Sequence, residues 1–139
     1  MIILDTNVLS ELMRPVPSTR VVRWVEKRPA AELFTTSITE AEIFYGIELL
    51  PKGKRREGLL AAAEAMFADD FAGRVIGFEG HAARAFSRIA ARRRALGKPI
   101  SHPDAEIAAI AQLHGAALAT RDVADFDDCD IRLIDPWGE

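Results

Sequence analysis

Residues 1–10 have the sequence Met1-Ile2-Ile3-Leu4-Asp5-Thr6-Asn7-Val8-Leu9-Ser10, and this stretch decides the fold class. Ile2 to Leu4 is a short apolar run typical of a buried strand, and it stops at Asp5. The polar cluster that begins at Asp5 is typical of a turn and a helix cap, and a short helix is predicted over Val8 to Met13. A strand that passes directly into a helix is the first half of a β–α unit.

The same alternation of strands and helices continues along all 139 residues. Further strands are predicted at residues 33–36, 74–78, 117–120 and 131–134, and further helices at 19–28, 39–50, 57–68, 79–96 and 102–114. This order predicts an α/β fold with a parallel central sheet and helices on both faces. No linker, repeat or low-complexity segment interrupts it, so we expect a single domain over residues 1–139.

Composition excludes several classes of protein. Hydrophobic residues make up 49% of the chain and charged residues 28%, which is typical of a globular domain and not of a disordered one. The net charge of −3 does not indicate a nucleic-acid binder, although acids that hold a metal would lower it. The single cysteine, Cys129, excludes an internal disulfide. No signal peptide or membrane-length apolar run is present, so we expect a soluble, cytoplasmic protein.

Four acidic side chains, Asp5, Glu42, Asp104 and Asp122, occur where a hydrophobic stretch meets a predicted helix start. In a parallel α/β sheet, strand ends and helix starts meet along one edge. Four carboxylates gathered there repel one another unless a cation lies between them. Carboxylates and water are the ligands that Mg²⁺ prefers, usually beside substrate phosphates. The pattern therefore predicts a metal-dependent enzyme that acts on phosphodiesters.

Each of these acids also has a local explanation. Asp5 can be a helix N-cap, and Asp104 can be a first-turn acid stabilised by the helix dipole. Glu42 can be the capping-box partner of Thr39, and Asp122 can be a turn residue. Capping does not require the acids to lie at one edge of one sheet, whereas metal binding does. The four together favour the metal site.

Two polar residues strengthen the prediction. Asn7, two residues after Asp5, and Thr120, two residues before Asp122, are placed to donate hydrogen bonds that orient carboxylates. Local turn chemistry is the alternative for both. Asp125 is a further acid in the same stretch as Asp122.

The motifs resemble those of one family over essentially the whole chain. Residues 1–10 resemble the opening motif of PIN-domain proteins. Their second, third and fourth acidic motifs resemble Ile38-Thr39-Glu40-Ala41-Glu42, Asp104-Ala105-Glu106-Ile107-Ala108-Ala109-Ile110-Ala111 and Ala119-Thr120-Arg121-Asp122, with Asp125-Phe126 following. Arg14-Pro15 and the closing Pro136-Trp137 are similar to the VapC-type toxins, particularly the FitB-like branch.

The resemblance implies a Mg²⁺- or Mn²⁺-dependent ribonuclease, the toxin half of a bacterial type II toxin–antitoxin pair. It implies a homodimer neutralised by a small VapB-like antitoxin, which also supplies DNA binding for autoregulation. By position, Asp5, Glu42, Asp104 and Asp122 match the acidic tetrad, with Asn7 and Thr120 in supporting places and Asp125 at a variable acidic position. Many relatives have asparagine where Asp122 stands, and an aspartate there does not remove a ligand.

An RNA substrate needs cations at the rim of such a site. Lys52, Lys54, Arg92, Arg93 and Arg121 are the candidates, and each could contact phosphates. The alternative is that they lie on solvated helix faces, or that Arg121 forms a structural ion pair.

Two other functions compete with the nuclease. A phosphatase of the haloacid-dehalogenase type needs a second aspartate where this chain has Asn7, and also a lysine and a larger chain. A catalytically inactive PIN fold that docks a DNA-binding antitoxin is the alternative from a different class. Retention of all four acids speaks against it, because acids without metal destabilise a shared pocket.

Overall fold

The structure is a computed structural model, and it describes residues 1–138. Within this range the strands pair in the order β3-β2-β1-β4-β5 to form one five-stranded sheet in which every neighbouring pair is parallel. The strands are β1 Ile2–Leu4, β2 Leu33–Thr36, β3 Val75–Ile76, β4 Ala117–Ala119 and β5 Leu133–Ile134. The predicted parallel α/β sheet is confirmed.

Six α-helices of the described residues connect these strands: α1 Thr6–Leu12, α2 Thr19–Glu26, α3 Ser37–Glu48, α4 Lys54–Ala65, α5 His81–Ala95 and α6 His102–Leu113. Their limits follow ordinary capping chemistry. Ser18 caps α2 and Ser101 caps α6, each with its hydroxyl accepting a backbone N–H, as predicted. α4 begins at Lys54, three residues before its predicted start. None of these helices is long and apolar enough to cross a membrane.

The helices cover both faces of the sheet because alternate residues of each strand point to opposite sides. Ile2 and Leu4 of β1 join a core with α1, α2, α3 and α4, whereas Ile3 joins a second core with α5 and α6. Buried alanines are frequent in the second core, including Ala108 and Ala111 of α6, and small side chains let helix and sheet approach closely.

The chain reverses its direction of travel across the sheet between β1 and β4, because β2 and β3 lie on one side of β1 and β4 and β5 on the other. In open α/β sheets, ligands bind outside the carboxyl ends of the strands at such a switch point. Asp5 directly follows β1, and its N–H donates to Ala119 O of β4 at 2.9 Å. The residues after β1 and β4 are thereby fixed beside each other.

Candidate active site

A cavity of about 470 Å³ opens at the carboxyl edge of the sheet, beside the switch point. All four acids of the predicted tetrad line it. The complete lining is Asp5, Thr6, Asn7, Ser10, Glu11, Arg14, Glu42, Asp104, Arg121, Asp122 and Trp137. The fold therefore brings together acids that are as many as 117 residues apart in sequence, Asp5 and Asp122.

Asp5 is the most buried of the four acids, with 6% of its surface exposed. It caps α1, since Oδ1 accepts from Thr6 N at 2.8 Å, while Oδ2 accepts from Thr120 Oγ1 at 2.8 Å. Burial is the main cause that raises the pKa of Asp5 to about 6, the charges of Asp104 and Glu42 contribute to the rise, and those two hydrogen bonds oppose it. Asp5 therefore caps α1 and also lines the cavity that it shares with the other three acids.

Glu42 lies in the second turn of α3 and not at its start. The N-cap of α3 is Thr36, whose hydroxyl accepts from Thr39 N at 3.1 Å. The capping box predicted between Thr39 and Glu42 is therefore wrong, because the helix begins directly at the end of β2. Glu42 Oε1 instead accepts from Thr6 Oγ1 at 2.8 Å. This bond ties α3 to the start of α1 and orients the carboxylate at the cavity.

Thr120 is fully buried and connects the acids on the β4 side. Besides donating to Asp5, its hydroxyl accepts from Asp122 N at 3.1 Å and from Asn7 Nδ2 at 3.3 Å. Asn7 Nδ2 also donates to Asp122 Oδ2 at 3.0 Å, and Asn7 Oδ1 accepts from Arg121 N at 3.3 Å. The side chains of Asn7 and Thr120 thus donate to the acids Asp122 and Asp5, each of which lies near the other residue in sequence.

Asp104 lies in the first turn of α6, where its N–H donates to Ser101 Oγ at 3.3 Å. Burial raises the pKa of Asp104, and the charges of Asp125, Glu42 and Asp122 raise it further, against the hydrogen bond with Ser101. Asp125 itself is exposed and does not line the cavity, so it acts on the site only through its charge. The negative charges of the acids therefore act on one another within the cavity.

The donor set matches a hard divalent cation in chemical type, since it consists of carboxylate oxygens. Among residues 1–138, no three carboxylate, imidazole or thiol groups lie close enough together to hold an ion in this side-chain arrangement. Glu42, Asp104 and Asp122 keep exposed surface in the cavity. The donor set therefore fits such an ion in its chemistry, and the present side-chain arrangement of the described residues does not close around one.

Sequence reasoning missed five residues that line the cavity: Thr6, Ser10, Glu11, Arg14 and Trp137. Glu11 is buried, and its carboxylate accepts from Ser18 N at 2.9 Å and from Arg14 Nη1 at 3.3 Å. The hydrogen bond from Ser18 lowers the pKa of Glu11, and Arg14 lowers it further. Its position on α1, one helical turn beyond Asn7, is the signal that could have indicated it.

The predicted cationic residues divide into different environments. Arg93 is buried, and its guanidinium donates to Lys98 O, Asp125 O and Asp127 O at 2.7, 2.7 and 2.9 Å. The prediction that Arg93 contacts RNA is therefore wrong, because its donors hold the loop that follows β4. The others are exposed: Lys52, Lys54, Arg92 and Arg121. Of these predicted cations, Arg121 alone belongs to the acidic cavity as lined by the described residues.

Comparison with known proteins assigns the family. The family described as PIN domain matches residues 2–131. The VapC ribonuclease Y4jK of Sinorhizobium fredii is 37% identical over 137 residues, which cover 99% of this chain and 98% of that protein. Toxin FitB of Neisseria gonorrhoeae is 37% identical over 139 residues, which cover 100% of both chains. A solved structure of FitAB bound to an IR36 DNA fragment contains a chain with 37% identity and a TM-score of 0.92, covering 99% of this chain and 96% of that one. The chain described here therefore belongs to the PIN-domain family.

Proposed function

We propose that this protein is a divalent-metal-dependent endoribonuclease and the toxin of a bacterial toxin–antitoxin pair. The proposal rests on one observation. A single cavity at the switch point of the sheet is lined by Asp5, Glu42, Asp104 and Asp122. The names of the ribonuclease and toxin relatives, each matched along essentially its whole length, support the same activity.

Mg²⁺ is the proposed cofactor, and Mn²⁺ can replace it. Asp5 and Asp104 would hold the ion directly, and Glu42 and Asp122 would hold it directly or through water. The raised pKa values of Asp5 and Asp104 support this assignment, because a nearby cation would relieve the burial and repulsion that raise them. When bound, the ion supplies a water of lowered pKa and stabilises the charge that develops on the phosphate.

The protein's own residues orient the acids in this mechanism. The Thr120 hydroxyl fixes Asp5 on one side, and the Thr6 hydroxyl fixes Glu42 on the other. The Asn7 amide fixes Asp122. Three of the four carboxylates are thereby held by a donor from α1 or from the residue after β4. Removing such outer hydrogen bonds commonly changes metal affinity or activity by about 10–100-fold.

Hydrolysis without a covalent intermediate fits the residues around the cavity. Cys129 is a buried residue of the segment between β4 and β5, where burial raises the pKa of its thiol and Arg93 donates to its sulfur at 3.7 Å. A buried thiol with a raised pKa is a poor nucleophile. The cysteine does not line the acidic cavity.

RNA binding is assigned to exposed cations. Arg121 is the proposed contact nearest the scissile phosphate, since it lines the cavity. Lys52, Lys54 and Arg92 are proposed to contact phosphates farther along the strand, with an affinity that falls as salt rises. Lys54 also lines an adjoining groove, which connects its position with the cavity.

That groove is the proposed binding site of the antitoxin. It has a volume of about 800 Å³ and is lined by apolar side chains that include Met13, Ile43, Ile47 and Leu59. It shares four residues with the acidic cavity: Thr6, Ser10, Arg14 and Glu42. An extended VapB-like segment lying in it could place a basic side chain among the carboxylates and compete with the metal. DNA binding is proposed to belong to the antitoxin, and the DNA-bound FitAB structure supports a complex of that kind. The toxin itself is proposed to be a homodimer.

A cleavage assay on the antitoxin-free protein tests the proposal. Structured RNAs are incubated with Mg²⁺, with Mn²⁺ and with EDTA, and an Asp5→Asn, Asp104→Asn double variant controls for contaminating ribonuclease. Cuts that need the metal and are absent with the variant establish the enzyme. Equal cutting by both proteins, or no cutting together with no stabilisation by metal, would favour the inactive module that docks an antitoxin.

A further inference from the structure

The turn after β5 brings an aromatic ring to the mouth of the acidic cavity. Ala119 pairs with Ile134 in the β4–β5 ladder, and Thr120 N donates to Ile134 O at 2.9 Å. Arg121 comes directly after Thr120, and Trp137 comes three residues after Ile134. The register of the two strands therefore sets Arg121 and Trp137 side by side. The guanidinium carbon of Arg121 lies 5.1 Å from the centroid of the Trp137 ring.

Trp137 is anchored on both sides of its Cα atom. Its N–H donates to Asp135 Oδ1 at 2.9 Å, and its carbonyl accepts from Arg20 Nη1 of α2 at 3.0 Å. The indole is half-buried and packs against the core formed by α1 to α4. The ring is therefore a fixed surface, which a residue in an untethered tail would not provide.

Arg121 is exposed, and its guanidinium forms no ion pair with any carboxylate of residues 1–138, although five acids line the same cavity. The guanidinium lies over the Trp137 ring, and its charge also helps to lower the pKa of Glu11. An arginine can stack its flat face on an aromatic ring while the N–H groups at its edge bind a phosphate in bidentate fashion. The edge of Arg121 is thus available to an anionic ligand in the cavity.

We propose that Trp137 is a positioning residue, which holds the Arg121 guanidinium at the mouth of the cavity so that it binds a phosphate of the RNA substrate. This inference rests on the proposed function, because it takes RNA as the substrate. Direct stacking of a base on the indole is the competing arrangement. The position of Arg121 over the ring favours the positioning role.

RNA binding without cleavage provides the first test. The Kd of a labelled single-stranded oligoribonucleotide is measured by fluorescence anisotropy in EDTA for the wild type, Trp137→Leu and Trp137→Phe. Loss of the stack in Trp137→Leu is expected to weaken binding about 2- to 5-fold, the range of an exposed cation–π contact. Trp137→Phe keeps an aromatic face and should retain most of the affinity. Arg132→Ala is the matched control, since Arg132 is an exposed arginine outside the cavity.

Cleavage kinetics in Mg²⁺ distinguish a role of Trp137 in substrate binding from a role in folding alone. A phosphate held equally in the ground state and the transition state affects KM and leaves kcat unchanged. Trp137→Leu should therefore raise KM by the same factor as Kd. A fall in kcat with KM unchanged, or wild-type binding by Trp137→Leu, would overturn the proposal. Thermal unfolding of each variant identifies any loss of affinity that follows from misfolding.

A double-mutant cycle separates the positioning role from direct base stacking. Once Arg121→Ala has removed the guanidinium, adding Trp137→Leu should weaken binding no further. An equal additional loss would mean that the indole contacts RNA itself, and the positioning role would be wrong. If the wild type neither binds nor cuts RNA, the proposed function fails and this inference fails with it. If the wild type does both and the variants behave like it, the inference fails alone.

Discussion

Replacement of Asp5 with asparagine removes a buried charge that lowers the free energy of unfolding at neutral pH. Asp5 is 6% exposed, and burial raises its pKa from an ordinary value of 3.8 to about 6, with further contributions from the charges of Asp104 and Glu42. Hydrogen bonds from Thr120 and Thr6 oppose this shift without cancelling it. A shift of about two pKa units corresponds to about 3 kcal/mol of differential stability.

The sign of the effect follows from proton binding. Between pH 3.8 and about 6, the folded protein binds more protons at Asp5 than the unfolded chain does, so the free energy of unfolding falls as the pH rises. Above this window the full cost remains. Asparagine does not ionise, but it loses the bond from Thr120, which is worth about 1 kcal/mol. We therefore expect Asp5→Asn to raise the free energy of unfolding by about 2 kcal/mol at pH 7.5 and to lower it by about 1 kcal/mol at pH 4.

Urea and thermal unfolding in EDTA, followed by circular dichroism at pH 4, 5.5 and 7.5, measure this difference. A gain of about 2 kcal/mol corresponds to a rise in Tm of roughly 4–8 °C for a chain of this size. Asp127→Asn is the matched control, because Asp127 is exposed and outside the cavity, and it should change stability by less than about 0.5 kcal/mol. Equal destabilisation of Asp5→Asn at pH 4 and pH 7.5 would refute the reasoning.

Three further predictions concern the residues that support the site, each measured by urea unfolding. Arg93→Leu should lower the free energy of unfolding by about 3 kcal/mol, because the carbonyls of Lys98, Asp125 and Asp127 lose their donor. Arg92→Leu, at the exposed neighbouring position, should be nearly neutral, and equal losses for the two variants would contradict this prediction. Thr120→Val should cost about 2 kcal/mol and slow metal-dependent cleavage at least about tenfold, because Asp5 loses its orienting donor; full activity would argue against the orienting role. Thr36→Ala should cost about 1 kcal/mol as the loss of the α3 cap, and no change would mean that the cap is dispensable.

Local sequence pattern was sufficient for the elements and for the positions of the acids. The apolar run before Asp5 predicted β1, and the cap residues Ser18 and Ser101 predicted two helix starts, because these signals act within a few residues. The strand order could not be predicted in the same way. Pairing of β1 with both β2 and β4 depends on contacts between segments more than 30 residues apart, which periodicity does not encode.

The errors have the same origin. Thr36 and Thr39 both have the chemistry of a helix cap, and only the end of β2 decides that Thr36 is the one used. Arg93 lies in a run of three arginines that resembles a solvated helix face, yet the loop after β4 folds over it and supplies its carbonyl partners. Trp137 reaches the cavity only through the β4–β5 register. Tertiary contacts determined all three outcomes.

Binding of Mn²⁺ to the purified, antitoxin-free protein tests the central claim most directly. Tm at pH 7.5 is measured over a Mn²⁺ titration for the wild type and for the Asp5→Asn, Asp104→Asn double variant. A ligand that binds only the folded state at 100 times its Kd stabilises it by about 2.7 kcal/mol, so the wild-type Tm should rise by several degrees. The variant lacks both proposed direct ligands, and its Tm should stay constant. A wild-type Tm that does not change with Mn²⁺, or an equal rise in both proteins, would contradict the assignment of these carboxylates as a metal site.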